Sequence, residues 1–572
     1  MTRHRLPWLQ QLKRSHAEPP LKAPIQLGAL SNGEIFRADT PESARVTRLI
    51  LEKADEGARR LGIERREFLA SSMGMATSLW AMNIASGCGS EDQRDAMRGD
   101  GSGREEDGGP SDQARPDAGS TRDAGRSASG SDAGAGAQRD AGPNDGGYFD
   151  VPDDPTDPER VCEKRIEPSA LFIFDIQTHH VNRANKLYDD FLRQQQQYTG
   201  VCAMKGVVPT ECFGREEYVR LMFLESDTTV AVLSGLPAVD DANNPITNAE
   251  IADAKAIVDA LAEDSERLIN HHMVLPNQMG PSGVQAQLDA MERTLQVYRK
   301  VGAWKCYPAW APENTKDVAT GGWFLDDPDT GLKVVQKGLE LGVGTFCIHK
   351  GLPIPAFSTK YNDPVDIGRV AKVFPEAKFI IYHSGYGHQG YNEGPYTMGS
   401  RVGTNSLITA LLENNIAPNS NVYAELGTTW QLVSTSPVIG GMAAAAHVVG
   451  KLLKYVGENN VVWGTDSIWY GSPQSQIESF LAFQISAQFQ SQYGYPALTM
   501  DIKRKILGLN AARAYNINVD AMRCEVDKSK LALRKQDLDD EFGARRWAFH
   551  TPPLTSRREF WAMHRRNGFR PG

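Results

Sequence analysis

The chain has 572 residues, 40% of them hydrophobic and 23% charged, with a formal net charge of -9. That length admits two to four domains, or an α/β barrel that takes up roughly 250 residues or more as one unit. The acidic balance excludes a general affinity for nucleic acid, and seven cysteines without a CxxC pair exclude a disulfide framework.

Residues 1–64 read as a polar extension with a helix over Glu42–Leu61, where Val46, Leu49, Ile50 and Leu61 share a face. Residues 65–88 follow, with Arg65-Arg66-Glu67-Phe68-Leu69, an uncharged run from Phe68 to Ser90, and Ala85-Ser86-Gly87-Cys88 inside it. An Arg pair ahead of a mildly apolar segment and small residues resembles a twin-arginine export signal ending in a lipoprotein cleavage box. It implies a periplasmic or membrane-tethered protein, touching membrane only through a lipid on Cys88. A buried helix in a cytoplasmic protein is the competing reading. The tetrapeptide recurs at Arg557-Arg558-Glu559-Phe560 with no apolar run behind it. The apolar segment is too weak for a transmembrane helix.

Residues 89–150 are dominated by Gly, Ser, Ala, Asp and Arg, as in Ser120–Gly147. Such a stretch buries too little apolar surface to offset the entropy of ordering, which predicts a disordered linker.

Over residues 165–518 strands alternate with helices. Apolar runs stand at Leu171–Ile176, Thr229–Leu233, His272–Leu275, Gly302–Tyr307, Gly344–Ile348, Phe379–Tyr382, Asn421–Leu426 and Asn460–Gly464. Helix-periodic segments lie between them, among them Thr247–Asn270, which opens on a Thr-Asn-Ala-Glu capping box. Eight strands, each separated by helix, predict a (β/α)8 TIM barrel of the α/β class. An open doubly wound sheet lacks support, because no GxGxxG follows a strand. Residues 519–572 form a basic, aromatic C-terminal extension that fits a docked segment or a subunit contact better than a nucleic-acid surface. A homo-oligomer is left open.

Catalytic groups of a barrel project from the C-terminal ends of its strands. The first strand here runs into Gln177, His179 and His180, the fourth carries Lys305, and the fifth and sixth end in His349 and His383. The seventh carries Glu425, and the eighth leads to Asp466. With only 12 histidines in the chain, imidazoles at three strand ends beside carboxylates suggest nitrogen and oxygen donors converging on a divalent metal.

The ordered set resembles the amidohydrolase superfamily, in its amidohydrolase-related (amidohydrolase 2) branch. The local wording of Phe346-Cys347-Ile348-His349, Ile381-Tyr382-His383-Ser384-Gly385, Trp463-Gly464-Thr465-Asp466-Ser467 and the late segment Lys505–Arg513 carries it. The resemblance implies one divalent metal, zinc first, held by His179, His349 and Asp466. It also implies proton transfer by Asp466 and by His383. Gln177 replaces the first His of the family's HxH pair. An amide oxygen is a harder donor than imidazole, so manganese or magnesium stays open, as does loss of the metal. Strand alternation puts Gln177 and His179 on one face and His180 on the other. Lys305 reads either as a partner for a substrate carboxylate or as a lysine at the barrel rim.

Trp310, Trp323, Tyr386, His388, Trp430 and Trp469 line an apolar mouth or merely pack loops. His271 and His272, at the start of the third strand, and Cys347 read as structural. Three functions follow for a small-molecule substrate: a metal-dependent hydrolase of an amide, lactone or ester; a non-oxidative decarboxylase or hydratase of an aromatic or unsaturated acid; or a metal-free tethered binding protein.

Overall fold

Strands over the apolar runs and helices between them give the predicted architecture. The computed structural model describes residues 23–25, 27, 30–31, 36–37, 40–69, 71–86, 148–158, 160–161, 171–182, 213–238, 241–242, 244–262, 266–276, 283–298, 300–310, 322–352, 357–387, 393–434, 441–526 and 534–536. Nearly all of the expected linker, Cys88, and most of the C-terminal extension lie outside the described residues.

The barrel strands are β1 (Phe174–Thr178), β2 (Val230–Leu233), β3 (Leu268–Val274), β4 (Ala303–Cys306), β5 (Thr345–Gly351), β6 (Lys378–Tyr386), β7 (Val422–Glu425) and β8 (Val461–Val462). Each pairs in parallel with the next in one eight-stranded sheet. The seam between β8 and β1 is joined by main-chain bonds from Ile176 N–H to Trp463 O (3.1 Å), Asp466 N–H to Gln177 O (2.9 Å) and His179 N–H to Ser467 O (2.6 Å). The structure is therefore a (β/α)8 barrel. Its interior holds Phe172, Phe174, Ile176, Val230, Val232, Cys347, Ile380, Tyr382, Tyr423 and Val462, while the opposite strand faces pack under the surrounding helices.

Local chemistry explains most boundaries. The Thr247 capping box forms as expected, with Glu250 N–H donating to Oγ1 and Thr247 N–H donating to the Glu250 carboxylate. Its helix ends at Leu261, earlier than the sequence pattern suggested, because Leu268–Asn270 already belongs to β3. His271 and His272 thus lie within β3 rather than at its start. The expected Ser475–Gln490 helix is two, Gln474–Ala482 and Ala487–Tyr493. The late segment that carries the family wording closes the barrel from below. Asn510 donates to Glu458 O and Val461 O, both at 2.8 Å. A Cβ on Gly508 would stand 1.9 Å from Phe172 O, so only glycine lets this helix rest on the base of β1.

The N-terminal segment is a helical unit packed on the barrel. Helices α1 (Pro41–Leu61), α2 (Arg65–Leu69) and α3 (Ser72–Ala85) share one apolar cluster with Phe149, Trp430, Phe480 and Phe483. The Asn83 side chain receives Tyr148 N–H and Phe149 N–H and donates to Phe149 O, each at 2.9 Å. Asp150 N–H donates in turn to Ala482 O (2.8 Å). Within the run read as an export segment, Ser72–Ala85 is thus a largely buried helix in the folded chain, and among the described residues no helix is long and apolar enough to cross a membrane.

Asn83→Ala removes three bonds at this junction and leaves buried backbone groups without partners, a cost of about 1–3 kcal/mol. A lower melting temperature with faster amide exchange over 72–85 is expected. Unchanged exchange there contradicts the docking.

Candidate functional site

Three of the predicted residues reach the barrel mouth through departures from regular strand geometry. Ile176 belongs to the interior cluster, so strict alternation would turn Gln177 away from it. A register shift between Asp175 and Thr178 breaks the alternation, and Gln177 Nε2 lies 3.3 Å from His383 Nε2. Tyr382 is likewise interior. His383 beside it turns inward because His383 (φ 57°), Ser384 (φ 52°) and Gly385 (φ 60°) are all left-handed. Asp466 is left-handed as well, at φ 56°. Strain of this kind, about 1–3 kcal/mol per residue, clusters at functional sites and persists only where the surroundings over-determine it.

Two groups of side chains result. His179 Nδ1 lies 2.9 Å from the Ser234 carbonyl. A carbonyl only accepts, so Nδ1 carries the proton and Nε2 presents its lone pair. That Nε2 is 3.6 Å from Asp466 Oδ1. The Thr428 hydroxyl donates to Asp466 Oδ2 at 2.6 Å, which aims the carboxylate, and Trp469 stacks on the His179 ring at 6.2 Å. In the second group His383 Nε2 lies 3.2 Å from His349 Nδ1 and meets the Gln177 amide. Tyr307 and Phe357 pack against the His349 ring. Lys305 is fully buried, with Nζ 3.4 Å from the centre of the Tyr382 ring and 4.6 Å from that of Tyr307. It lies inside the barrel rather than reaching past its rim.

Burial governs the charges. It pushes His179 down to about 4, against help from Asp466, His383 down to about 3, and His349 well below the ordinary imidazole range. All three rings are neutral at pH 7 and keep a lone pair. Burial raises Asp175 to about 7, although the Thr465 hydroxyl and two main-chain N–H groups oppose the shift. Burial also lifts Glu425 well above the usual carboxylate range.

The metal set expected from sequence is brought together only in part. His179 and Asp466 face each other, whereas Gln177 and His349 are arranged around His383. Among the described residues no group of three or more His, Cys, Asp and Glu side chains is arranged to hold a metal ion. The donor chemistry nevertheless fits one divalent cation. His179 has its second nitrogen tied to a carbonyl, which is how metal-binding imidazoles are oriented. Gln177 Oε1 is buried without a hydrogen-bond partner, a hard oxygen donor outside that four-residue vocabulary.

His180 points away as expected, its ring beside Tyr218. His271 bonds Tyr515, His272 bonds Asn248, and Cys347 is interior core, all structural positions. Trp323 and Trp430 belong to the core outside the barrel, and His388 lies outside the described residues. Sequence reading missed Ser234, Thr428, Tyr307 and Phe357. Two of them carried a positional signal: Tyr307 at the end of the predicted fourth strand, and Thr428 three residues after the strand-end Glu425.

Residues 316–517 match the family model described as amidohydrolase, which spans β5 to the closing helix and includes His349, His383 and Asp466. The resemblance to amidohydrolases is thus shown over that segment. No curated protein matches the chain. Among solved structures the chain is similar to an uncharacterised TIM-barrel protein from Bordetella bronchiseptica, at 15% identity and TM-score 0.38, covering 62% of this chain and 100% of that one. A 2,6-dihydroxybenzoate decarboxylase from Rhizobium matches at 12% and 0.34, covering 60% and 99%. An amidohydrolase with bound zinc from Burkholderia multivorans matches at 14% and 0.35, covering 61% and 100%.

The structural histidines predict an acid weakness. Burial lowers His180 to about 3, His272 to about 4 and His271 well below its ordinary value. Each folded value lies under the unfolded one near 6.5, so the stability is present above pH 6.5 and is lost as pH falls toward the folded values. The melting temperature should drop steadily from pH 7 to pH 4. A flat profile contradicts the neutral, buried state.

Proposed function

We propose that this chain, whose barrel matches the amidohydrolase family from β5 onward, is a metal-dependent hydrolase of a small amide, lactone or ester. The observation that carries the reading is the His179–Asp466 pair across the barrel seam, with the imidazole lone pair turned to the carboxylate. His179 and Asp466 would hold a divalent ion, zinc or, given the Gln177 amide, manganese or magnesium, with Gln177 and His349 completing the set. Such an ion lowers the pKa of water toward about 7 and polarises a carbonyl.

The chain's own residues then manage the protons. Asp466, held by Thr428, accepts a proton from the attacking water at the oxygen facing His179. His383, neutral at rest, would take up the proton collected by Asp466 and then pass it to the leaving group, returning to the neutral ring. The aromatic rings of Tyr307, Phe357 and Trp469 keep bulk water from the imidazoles.

A second reading rests on Lys305. Its buried charge is felt by His179, His349 and His383, so it suits a substrate carboxylate and hence a decarboxylase or hydratase. Elemental analysis of the purified chain should find about one equivalent of zinc or manganese, lost in His349→Ala. No metal after reconstitution removes both enzymatic readings in favour of a tethered binding protein. For a hydrolase, Asp466→Asn should lower kcat by about 10²–10⁴-fold and exceed the effect of Lys305→Ala. The reverse order, with CO₂ released from an aryl or unsaturated acid, identifies the lyase.

We further propose export by the twin-arginine route, on the sequence pattern of Arg65-Arg66 and the apolar run behind it. Arg65 pairs with Asp55 at 2.7 Å and α3 is buried, so recognition of the signal would have to precede docking of these helices. Replacing both arginines with lysine should leave the protein in the cytoplasmic fraction. Unchanged fractionation favours the cytoplasmic alternative.

A further inference from the structure

Glu425, at the end of β7, is a buried carboxyl that none of the proton transfers above uses. It is fully buried. Oε2 accepts the main-chain N–H of His383 at 2.8 Å, and Oε1 has no hydrogen-bond partner. Two glycines make room for it. A Cβ on Gly464 would lie 1.9 Å from Glu425 Oε1, and one on Gly427 would lie 2.7 Å from both carboxyl oxygens and 2.6 Å from Gln177 Oε1. The carboxyl of β7, the end of β8 and the Gln177 amide are thus packed as closely as glycine alone permits.

This carboxyl grips the left-handed stretch of β6. Non-glycine residues disfavour that conformation by roughly 1–2 kcal/mol each, and His383 and Ser384 adopt it in succession. Three hydrogen bonds oppose the strain, all to β7 or to the helix Gly427–Ser434 that follows. His383 N–H donates to Glu425 Oε2, the Ser384 hydroxyl donates to Glu425 O at 2.7 Å, and the Thr429 hydroxyl donates to His383 O at 2.9 Å. Released from them, the strand would return toward regular alternation. His383 would then swing away from the interior that Tyr382 already occupies.

We propose that Glu425 is the positioning residue for His383, holding the left-handed turn of β6 and so placing the imidazole against His349 and Gln177. This rests on the reading of His383 as a proton-transfer group, and it makes no claim on the metal. What matters in Glu425 is an acceptor oxygen at the right place. Glutamine supplies one and alanine does not.

Amide hydrogen exchange measured by mass spectrometry on the full chain tests this. Wild type, Glu425→Gln, Glu425→Ala and Thr429→Val are compared over the peptide covering 378–387, with metal content after zinc loading measured in parallel. Glu425→Ala should speed exchange over 378–387 by about tenfold or more, matching loss of a bond worth about 1.5 kcal/mol or more. Glu425→Gln should keep the wild-type rate, and Thr429→Val should fall between. If Glu425→Ala fails to fold, Thr429→Val against Glu425→Gln decides. Unchanged exchange in both Glu425→Ala and Thr429→Val, or equal acceleration in Glu425→Gln and Glu425→Ala, overturns the proposal. Failure of every variant to take up zinc counts against the hydrolase and not against the positioning role. Once a substrate is identified, Glu425→Ala should lower kcat with KM little changed, and Glu425→Gln should restore it.

Discussion

Two strands that are far apart in sequence must meet for a barrel to have no edge, and here the meeting is slender. The ladder of β8 is two residues long. The seam is therefore held largely by backbone bonds beyond it, and by one side chain of β1. The Asp175 carboxyl receives Gln177 N–H (3.2 Å), Thr465 N–H (3.0 Å) and the Thr465 hydroxyl. Burying a carboxyl is costly unless its oxygens are hydrogen-bonded, and three donors meet that condition here. The same bonds set His179 opposite Asp466, so the proposed donor pair exists only because the seam closes in this register.

Several side chains of the candidate site stand where regular geometry fails. At β1 a register shift brings Gln177 inward beside Ile176. At β6 a left-handed run does the same for His383 beside Tyr382, and Asp466 is left-handed in its own right. In the first two cases two adjacent residues face one interior, which a pleated strand cannot do. The supports come from neighbouring elements: Thr428 on Asp466, Glu425 and Thr429 on the His383 turn, Ser234 on His179. Departures from local rules supported by several independent contacts are what a pre-organised site requires.

The N-terminal segment shows how one composition serves two descriptions. An uncharged run of small and apolar residues behind an Arg pair satisfies an export pattern. It also satisfies a largely buried helix, and α3 is such a helix, with Gly74 set close against the backbone of Leu69 in α2. The polar position that distinguishes them is Asn83. In the fold its side chain is the bridge between α3 and the residues leading into the barrel.

The amino-acid sequence by itself determined the eight strands, the helices between them, the barrel class and the set of residues at the strand ends. Those features follow from hydrophobic period and from capping and turn chemistry, which act over a few residues. It also singled out Gln177, His179, His349, His383 and Asp466 as candidates, because strand-end position is itself local. Only the tertiary structure decided which of these groups meet. Gln177 belongs with His383 and His349, His179 belongs with Asp466, and Lys305 lies beneath aromatic rings inside the barrel. Those pairings depend on the register of the β8–β1 seam, on left-handed residues that period-2 alternation cannot anticipate, and on glycines whose missing side chains matter only against a neighbour hundreds of residues away in the chain.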